Sequence, residues 1–454
     1  MRGPGEILLL STYELGHAPH GIAVPMAFLE RAGFRPAALD LAVEQLDPAR
    51  AGRARLALVS IPMHTATRLG LEAAARLRAL APGIAIAFHG LYAALNADLL
   101  LRAGAVAVVG PDQEDALVAL AEALERGAPP PATRPAPGTR PRRLELPVPS
   151  RWGLPPPDRY ARLLAADGDR LAGYTEATRG CKHRCRHCPL PPFHDGRFTA
   201  VPADVVVADV AQQVAAGVRH VTFGDPDFLN GPGHALRIAR ALHARWPGLT
   251  FDFTAKVEHL VARPEDVGEL ARLGALFVTS AVESFSGEVL ARLAKGHDRE
   301  GALRAFRVCE DAGLALRPTF VPFTPWETLA SYLDLLETLE RHGWLSHVDP
   351  VQLSLRLLVP PGSLLEGDPS IPFDALDDDA LGWRWHHPDP RMDALQARVA
   401  AEVHAGEAAH APPREILERV HALAAAAAGA PHQHRRMLSP EARRVPRLSE
   451  SWFC

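Results

Sequence analysis

The sequence has little cysteine, no strong excess of charge and no long apolar run, and each scarcity excludes a class of protein. Five cysteines in 454 residues are too few for a disulfide-stapled secreted fold. A formal net charge of −4 provides no basic surface for nucleic acid. No apolar stretch reaches the roughly 18 residues of a membrane-spanning helix, and no signal-peptide pattern is present. We therefore expect a cytoplasmic protein that does not span a membrane or bind nucleic acid.

The length predicts two or three domains, and changes in composition along the sequence divide it into four segments. Residues 1–126 alternate apolar strand-like runs with helical ones, which predicts a doubly wound, Rossmann-like α/β domain. Residues 127–158 are rich in proline and arginine and should form an extended linker. The alternation returns in residues 159–365, and residues 366–454 are predicted to be a helical extension.

Strand-like runs occur in both alternating segments. Those of the first segment are Glu6–Thr12, Leu56–Ile61, Ile84–Phe88 and Ala105–Val109. Those of the second are Gly173–Thr178, His220–Phe223, Thr250–Thr254, Leu276–Ala281, Ala315–Val321 and Val351–Leu357. Six parallel strands with intervening helices predict a partial (β/α)6 barrel, whose reactive groups should lie at the carboxyl ends of the strands.

Three of the five cysteines, Cys181, Cys185 and Cys188, lie on one loop after the first strand of the second segment. Thiolates are the usual ligands of iron–sulfur clusters, and three thiolates leave one iron of a four-iron cluster open. A structural zinc site completed by His183 or His187 is the alternative. Zinc sites usually combine two separated ligand pairs, and no second pair follows here, so the cluster is favoured.

The Cys-x3-Cys-x2-Cys loop in this strand context resembles the radical S-adenosylmethionine (SAM) superfamily. The resemblance implies a [4Fe-4S] cluster on the three cysteines and SAM bound at its open iron. It also implies a 5′-deoxyadenosyl radical acting on a small molecule or peptide, and an electron donor such as flavodoxin or ferredoxin. Sulfur insertion into RNA would need a second cluster, for which no further cysteine set exists. A non-enzymatic zinc- or cobalamin-binding regulatory module is the alternative function.

The same resemblance implies further cofactor-binding residues. His187 holds the position before the third cysteine, which is usually aromatic. Gly224 and Asp225 begin a Gly-Asp-Pro turn similar to the Gly-Gly-Glu-Pro turn that meets the methionine amino group, although Asp-Pro is also a common strand-end turn. Glu283 and Ser284 resemble the Glu-Ser pair that meets the nucleoside.

Three more polar residues are predicted to face the barrel cavity from their positions. Lys256 follows a strand, although a lysine there is more often solvated. Gln352 and Arg356 share one face of the sixth predicted strand because side chains alternate along a strand. Buried polar groups need partners, so either a bound cofactor or substrate or an internal salt bridge is expected.

Residues 1–126 resemble the cobalamin-binding domains that often precede radical SAM domains. The matching stretches are Val59–Ile61, His89–Ala93 and Val109–Glu114. His89 replaces a family glycine, and the cobalt-ligating Asp-x-His-x-x-Gly motif is missing from the sequence. Cobalamin is therefore a candidate second cofactor, and its binding would favour methyl transfer. A degenerate domain that acts as a lid over the substrate is the alternative.

The last printed residue is Cys454, preceded by Trp452 and Phe453. Together with Gly173–Glu176 and Phe323–Trp326, this tail resembles a subfamily ending in Cys-Sec-Ala-Glu-Pro or Cys-Cys-Ala-Glu-Pro. The resemblance implies a selenocysteine codon read as a stop after Cys454, and Cys454 as a reactive catalytic thiol. A surface cysteine without a role is the alternative.

Overall fold

Two sheets, each flanked by helices, form the framework of the computed structural model, which describes residues 1–131, 135, 145–430 and 445–450. The first sheet has five parallel strands in the order β2-β1-β3-β4-β5. Its strands are β1 (Ile7–Ser11), β2 (Ala37–Asp40), β3 (Leu56–Ser60), β4 (Ala85–His89) and β5 (Ala107–Val109). Its helices are α1 (His20–Arg31), α2 (Pro48–Arg53), α3 (His64–Leu80), α4 (Leu91–Leu95), α5 (Ala97–Arg102) and α6 (Glu114–Glu125).

Every residue of β1 and β3 is buried, as expected of parallel strands covered on both faces. Leu8 and Leu10 belong to the core on one face of the sheet, and Ile7 and Leu9 to the core on the other. The strand order reverses direction between β1 and β3. In sheets of this order, ligands bind in the crevice beyond the carboxyl ends of the strands at that point.

The second sheet has seven strands in the order β13-β12-β11-β10-β7-β6-β16. Its strands are β6 (Arg162–Leu164), β7 (Arg170–Thr175), β10 (His220–Phe223), β11 (Thr250–Thr254), β12 (Ala275–Glu283), β13 (Ala315–Phe320) and β16 (Arg447–Leu448). A separate two-stranded sheet is formed by β8 (Thr178–Gly180) and β9 (Phe198–Ala200). Strands β7 and β10 to β13 are parallel, whereas β6 and β16 add an antiparallel edge.

Helices follow the parallel strands and cover one face of this sheet. They are α7 (Pro191–His194), α8 (Ala203–Ala215), α9 (Pro232–Arg245), α10 (Val257–Ala262), α11 (Pro264–Arg272), α12 (Gly287–Arg292), α13 (Arg299–Asp311) and α14 (Leu329–Arg341). Val221 and Phe223 of β10 pack into the helical core, so alternation turns His220 and Thr222 to the opposite face. There Asp252 accepts hydrogen bonds from both, at 2.8 and 2.7 Å. The side of the sheet turned away from the helices is therefore polar.

The predicted α/β class with a partial barrel is confirmed, but its sixth strand is not formed. Pro350–Leu353 is a short 3-10 helix, and Arg356 makes a single parallel bridge to Phe323. The Phe320 N–H, which a sixth strand would bind, donates instead to Gln352 Oε1 at 3.2 Å. Gln352 and Arg356 therefore do not share a strand face.

The C-terminal part contributes a hairpin and two helices: β14 (Phe373–Asp377), β15 (Gly382–Trp385), α15 (Pro390–Ala408) and α16 (Pro413–Ala428). Apolar residues of both helices join the barrel core, among them Leu395 and Val420. Among the helices that the structure describes, none combines the length and apolar character needed to cross a lipid bilayer.

Candidate functional site

The three clustered cysteines lie on the loop that connects β8 to α7, beyond the carboxyl end of β7. Gly180 enters this loop with φ +79°, and a Cβ there would lie 2.6 Å from the Arg197 carbonyl oxygen, so only glycine fits. The loop is fixed by two backbone N–H groups. Arg186 N donates to Leu293 O at 2.9 Å, and Lys182 N donates to Asn230 Oδ1 at 3.2 Å.

Cys181 and Cys185 are buried and Cys188 is half-buried. Burial raises the pKa of the Cys181 thiol to about 11 and that of the Cys188 thiol to about 12. Isolated thiolates are therefore disfavoured here, and a metal that replaces the protons would stabilise them. Soft donors gathered on one short, partly buried loop fit an iron–sulfur cluster by their chemistry.

Glu283 and His187, both predicted from the sequence, meet beside the cysteine loop. His187 Nε2 lies 3.0 Å from Glu283 Oε1, and Lys295 Nζ donates to the same oxygen at 3.1 Å. Burial alone would raise the pKa of Glu283, but Lys295 and His187 outweigh it and lower this pKa to about 2. Glu283 has φ +67°, a left-handed conformation that is rare for residues other than glycine, asparagine and aspartate. This carboxylate is held charged at the end of β12.

Ser284 contacts a residue that sequence reasoning missed. Its hydroxyl donates to Glu327 Oε2 at 2.9 Å, and burial raises the pKa of Glu327 to about 7. Glu327 Oε1 is buried without a hydrogen-bond partner among the described residues. The sequence pattern gave no reason to select Glu327, because this residue follows Trp326 in a loop without helical or strand periodicity.

Asp225 turns back toward the start of the cysteine loop. Its carboxylate accepts hydrogen bonds from Ala177 N at 2.9 Å and Thr178 Oγ1 at 2.6 Å. At Gly224 a Cβ would lie 1.7 Å from the Tyr174 hydroxyl, so glycine allows that ring to cross the strand end. The Asp225 side chain therefore supports the link from β7 to β8, and any contact of this turn with a cofactor falls to its backbone.

The remaining predicted polar residues have protein partners. Lys256 Nζ donates to Lys295 O at 2.7 Å and lies 2.5 Å from Glu258 Oε2. Arg356 donates to Asp393 Oδ1 at 2.6 Å, and its guanidinium lies 3.6 Å from the Trp385 ring centroid. Arg356 thus forms an internal salt bridge to the C-terminal extension.

A second group of polar side chains lies next to the cysteine loop. Asp227 follows β10, His259 lies in α10, and His183 belongs to the loop itself. His259 Nδ1 is 2.7 Å from Asp227 Oδ2, and the Nε2 atoms of the two histidines are 3.3 Å apart. Burial and then Lys256 lower the pKa of His183 to about 4. Sequence reasoning considered only His183, as a zinc ligand, because the other two are distant in sequence.

The cysteine loop also contacts the N-terminal domain. Phe193, on the short helix α7, packs into the N-terminal core, and His194 Nε2 lies 3.0 Å from Asp112 Oδ2. Arg179, two residues before Cys181, pairs with Glu114 Oε1 at 2.6 Å. These contacts place the carboxyl ends of both sheets against each other.

At the crevice beyond the carboxyl ends of the N-terminal strands, Ser60 ends β3, one of the two strands at the switch point, and His89 ends the adjacent strand β4 in register with Ser60. A Cβ at Gly21, in the first turn of α1, would lie 2.4 Å from Ser60 Oγ. His89 is buried, and its Nε2 has no hydrogen-bond partner among the described residues. A polar group entering this crevice would satisfy that nitrogen, so the residues fit a ligand with hydrogen-bonding groups.

Comparisons with known proteins agree with this geometry. Residues 175–339 match the family model described as the radical SAM superfamily. Ribosomal protein uS12 methylthiotransferase RimO of Paracoccus denitrificans is 29% identical over 211 residues, which cover 41% of this chain and 44% of that protein. tRNA-2-methylthio-N(6)-dimethylallyladenosine synthase of Fusobacterium nucleatum is 24% identical over 205 residues, with the same coverage of 41% and 44%. The match thus spans less than half the length of these relatives.

Two solved structures are similar over more of the chain. TsrM from Kitasatospora setae, a radical SAM methyltransferase with cobalamin and a [4Fe-4S] cluster bound, has a TM-score of 0.62 at 19% identity and covers 74% of this chain and 72% of its own. OxsB, a cobalamin-dependent SAM radical enzyme with aqua-cobalamin bound, has a TM-score of 0.68 at 14% identity and covers 88% and 67%. At these identities the likeness concerns the fold.

Proposed function

We propose that this chain, an enzyme with a radical SAM domain at residues 175–339, holds a [4Fe-4S] cluster on Cys181, Cys185 and Cys188 and cleaves SAM reductively. The observation that carries the proposal is the three thiols on one short loop beyond β7, within the segment that matches the family. When SAM is bound and one electron is supplied, this chemistry gives a 5′-deoxyadenosyl radical for use on a substrate. Flavodoxin or ferredoxin is the proposed electron donor.

The surrounding residues suit this chemistry by position and charge. Glu283, held ionised by Lys295 and His187, is proposed to face the nucleoside together with Ser284. The backbone at Gly224 is proposed to meet the methionine amino group. We propose that Lys256, Gln352 and Arg356, which protein contacts hold in place, form walls of the site. Glu283, Ser284, Lys256 and Gln352 are buried, which would help to exclude water from a reactive radical.

We further propose cobalamin as a second cofactor and methyl transfer as the reaction class. The N-terminal strand order and the similarity of fold to TsrM and OxsB support this assignment. His89, at the carboxyl end of β4, has a buried nitrogen without a hydrogen-bond partner among the described residues, and we propose that it offers the cofactor a polar contact. Methylthiolation, the activity named for the sequence relatives, would need cysteines for a second cluster. Beyond the loop this sequence has only Cys309, which is buried in α13, and Cys454.

The test is anaerobic. The purified chain is reconstituted with iron and sulfide, reduced with dithionite, mixed with SAM and assayed for 5′-deoxyadenosine. We expect nucleoside from the wild type and from Cys309→Ala, a matched cysteine variant outside the loop, and none from Cys185→Ala. A wild-type protein that retains a full iron load but releases no nucleoside would refute the proposal.

The substrate is proposed to be a small molecule or a peptide, and Cys454 a reactive thiol that acts on it. Cys454 lies outside the described residues, so its proposed role rests on the tail motif alone. Cys454→Ser should leave SAM cleavage intact and lower modification of the substrate. A codon other than UGA after Cys454 would remove the selenocysteine part of the hypothesis.

A further inference from the structure

Two imidazoles and one carboxylate form a compact group beside the cysteine loop, and the proposed SAM chemistry uses none of them. We call this group the His-Asp-His cluster; it consists of His183, Asp227 and His259. One ligand atom from each residue lies within 4.8 Å of the others. Asp227 is fully buried, and His259 is nearly so.

Two atoms of the His-Asp-His cluster are buried without a hydrogen-bond partner among the described residues: Asp227 Oδ2 and His259 Nδ1. They are 2.7 Å apart, so that a proton or a metal ion lying between them would satisfy both. The other Asp227 oxygen already accepts from Leu229 N at 3.0 Å. Two buried lone pairs that converge are costly unless an electron-pair acceptor lies between them, and a metal ion is an acceptor that His183 could also bind.

Lys256 is a cation near these atoms, but its ammonium group pairs with other partners. Lys256 Nζ is taken up by Glu258, at 2.5 Å, and by the backbone oxygen of Lys295, at 2.7 Å. Glu258 Oε2 in turn lies 3.7 Å from His183 Nδ1, on the side of that ring facing away from the cluster. A carboxylate beside the second nitrogen of a histidine is the arrangement that orients metal-binding imidazoles.

We propose that the His-Asp-His cluster binds one divalent transition-metal ion of the zinc or iron(II) class. Two imidazoles and a carboxylate suit these ions and not magnesium or calcium, which prefer oxygen donors. Metal–nitrogen bonds of about 2.0–2.1 Å place neighbouring ligand atoms roughly 3.3 Å apart in a tetrahedral site. Asp227 Oδ2 lies 2.7 Å from His259 Nδ1 and 3.7 Å from His183 Nε2, and one ligand atom from each of the three residues lies within 4.8 Å of the others. Side-chain adjustment alone would therefore bring the three ligands around one ion.

The cluster lies near the protein surface. A cleft of about 720 Å³ is lined by residues of α10 and of the segment around Lys295, and Glu258, which forms part of its wall, lies 3.7 Å from His183 Nδ1. His183 is 19% exposed, the most of the three ligands. His183 is therefore the ligand closest to solvent, and Asp227 is the one covered most fully.

The three ligands come from three elements: the cysteine loop, the turn after β10, and α10. One ion would therefore cross-link the loop that carries Cys181 to two fixed parts of the barrel. This is a site for positioning the loop, and its occupancy does not depend on the iron–sulfur cluster or on the proposed reaction.

The experiment separates the two metal sites by removing the thiols. Full-length protein carrying Cys181→Ser, Cys185→Ser and Cys188→Ser is titrated anaerobically with Co²⁺, and visible d–d absorption is recorded before and after adding Zn²⁺. We expect one Co²⁺ per chain, displaced by Zn²⁺, and at least a tenfold loss of affinity in His259→Ala and Asp227→Asn. His342→Ala, at an exposed histidine, is the matched control and should bind as the parent does.

A second measurement applies if the thiol-free protein does not fold. Reconstituted wild type and His259→Ala are compared by metal analysis alongside cluster absorbance. We expect the variant to keep the cluster absorbance and to lose one equivalent of zinc or iron. Equal metal content in the two proteins, or Co²⁺ binding that His259→Ala leaves unchanged, would overturn the proposal. Loss of SAM cleavage in either protein would not, because the site is defined by metal binding.

Discussion

Arg179 and Glu114 form an ion pair 2.6 Å long across the junction of the two sheets, with both side chains 12% exposed. Arg179 also lies 3.2 Å from Glu176 Oε2 and 3.6 Å from Asp112 Oδ1. One guanidinium therefore neutralises carboxylates of both domains, two residues before the first cluster cysteine. Docking of the domains and placement of the cysteine loop share this contact.

Arg179→Met should leave these carboxylates uncompensated and lower the free energy of unfolding by about 3–5 kcal/mol. Because Arg179 precedes the cysteine loop, the variant should also hold less iron after reconstitution. Urea denaturation and iron analysis test this, with Arg398→Met, at an exposed arginine, as control. A loss below about 1 kcal/mol would mean that the pair behaves like a surface salt bridge.

The Glu283–Lys295 pair calls for a double-mutant cycle. Lys295 is 3% exposed and Glu283 4%, so Glu283→Gln or Lys295→Met each leaves a buried charge and should cost about 3–5 kcal/mol. The double variant should lose clearly less than the sum of the two. Glu283→Gln should also raise the KM for SAM if the carboxylate faces the nucleoside. If the losses in unfolding free energy are additive and the KM for SAM is unchanged, Glu283 and Lys295 neither stabilise each other nor contribute to SAM binding.

His17 follows β1, and its ring centroid lies 4.7 Å from that of Tyr174 in β7, so acid should destabilise the junction of the two sheets through His17. Burial lowers the pKa of His17 to about 4, below the ordinary value of about 6.5, so the folded state binds fewer protons than the unfolded chain. The stability that this difference provides is complete above pH 6.5 and is lost as the pH falls toward 4, by up to about 3 kcal/mol. His17→Gln should show a shallower fall in unfolding free energy between these pH values than the wild type. Parallel curves would contradict the assignment.

His89 should matter for cobalamin. Because its buried Nε2 has no partner among the described residues, His89→Ala should retain several-fold less cobalamin after gel filtration, read from the corrinoid absorbance. His64→Ala, at a histidine whose Nε2 contacts Ala380 O, is the control in the same domain. If the wild type and the two variants retain equal amounts of cobalamin, His89 does not contact this cofactor.

Local patterns predicted the buried strands well. The bounds of β10 and β11 are those expected from the sequence, since His220–Phe223 and Thr250–Thr254 alternate polar with apolar side chains. Strand β2, Ala37–Asp40, was missed because four residues show too little periodicity. The prediction of a sixth strand was wrong because the Gln352 side chain accepts the hydrogen bond of the Phe320 N–H in place of a strand backbone. A hydrophobic pattern does not reveal such a side-chain contact.

The site was predictable where its residues are contiguous and not where they are distant. The cysteine spacing identified the loop directly. Asp227 and His259 come together with His183 only through the arrangement of β10 and α10, and Glu327 reaches Ser284 from a separate loop. The sequence predicted that Arg356 would need a partner, but only the fold shows that this partner is Asp393.

The edge of the barrel sheet is completed by the pairing of β16 with β6, at Arg447↔Leu164 and Leu448↔Leu163. During synthesis, β6 leaves the ribosome long before β16 exists. The edge of β6 therefore stays unpaired in the nascent barrel until residues 447 and 448 have been translated, and unpaired edges attract other chains. A ribosome pause within α15 or α16 would consequently prolong the interval in which this edge is open to aggregation.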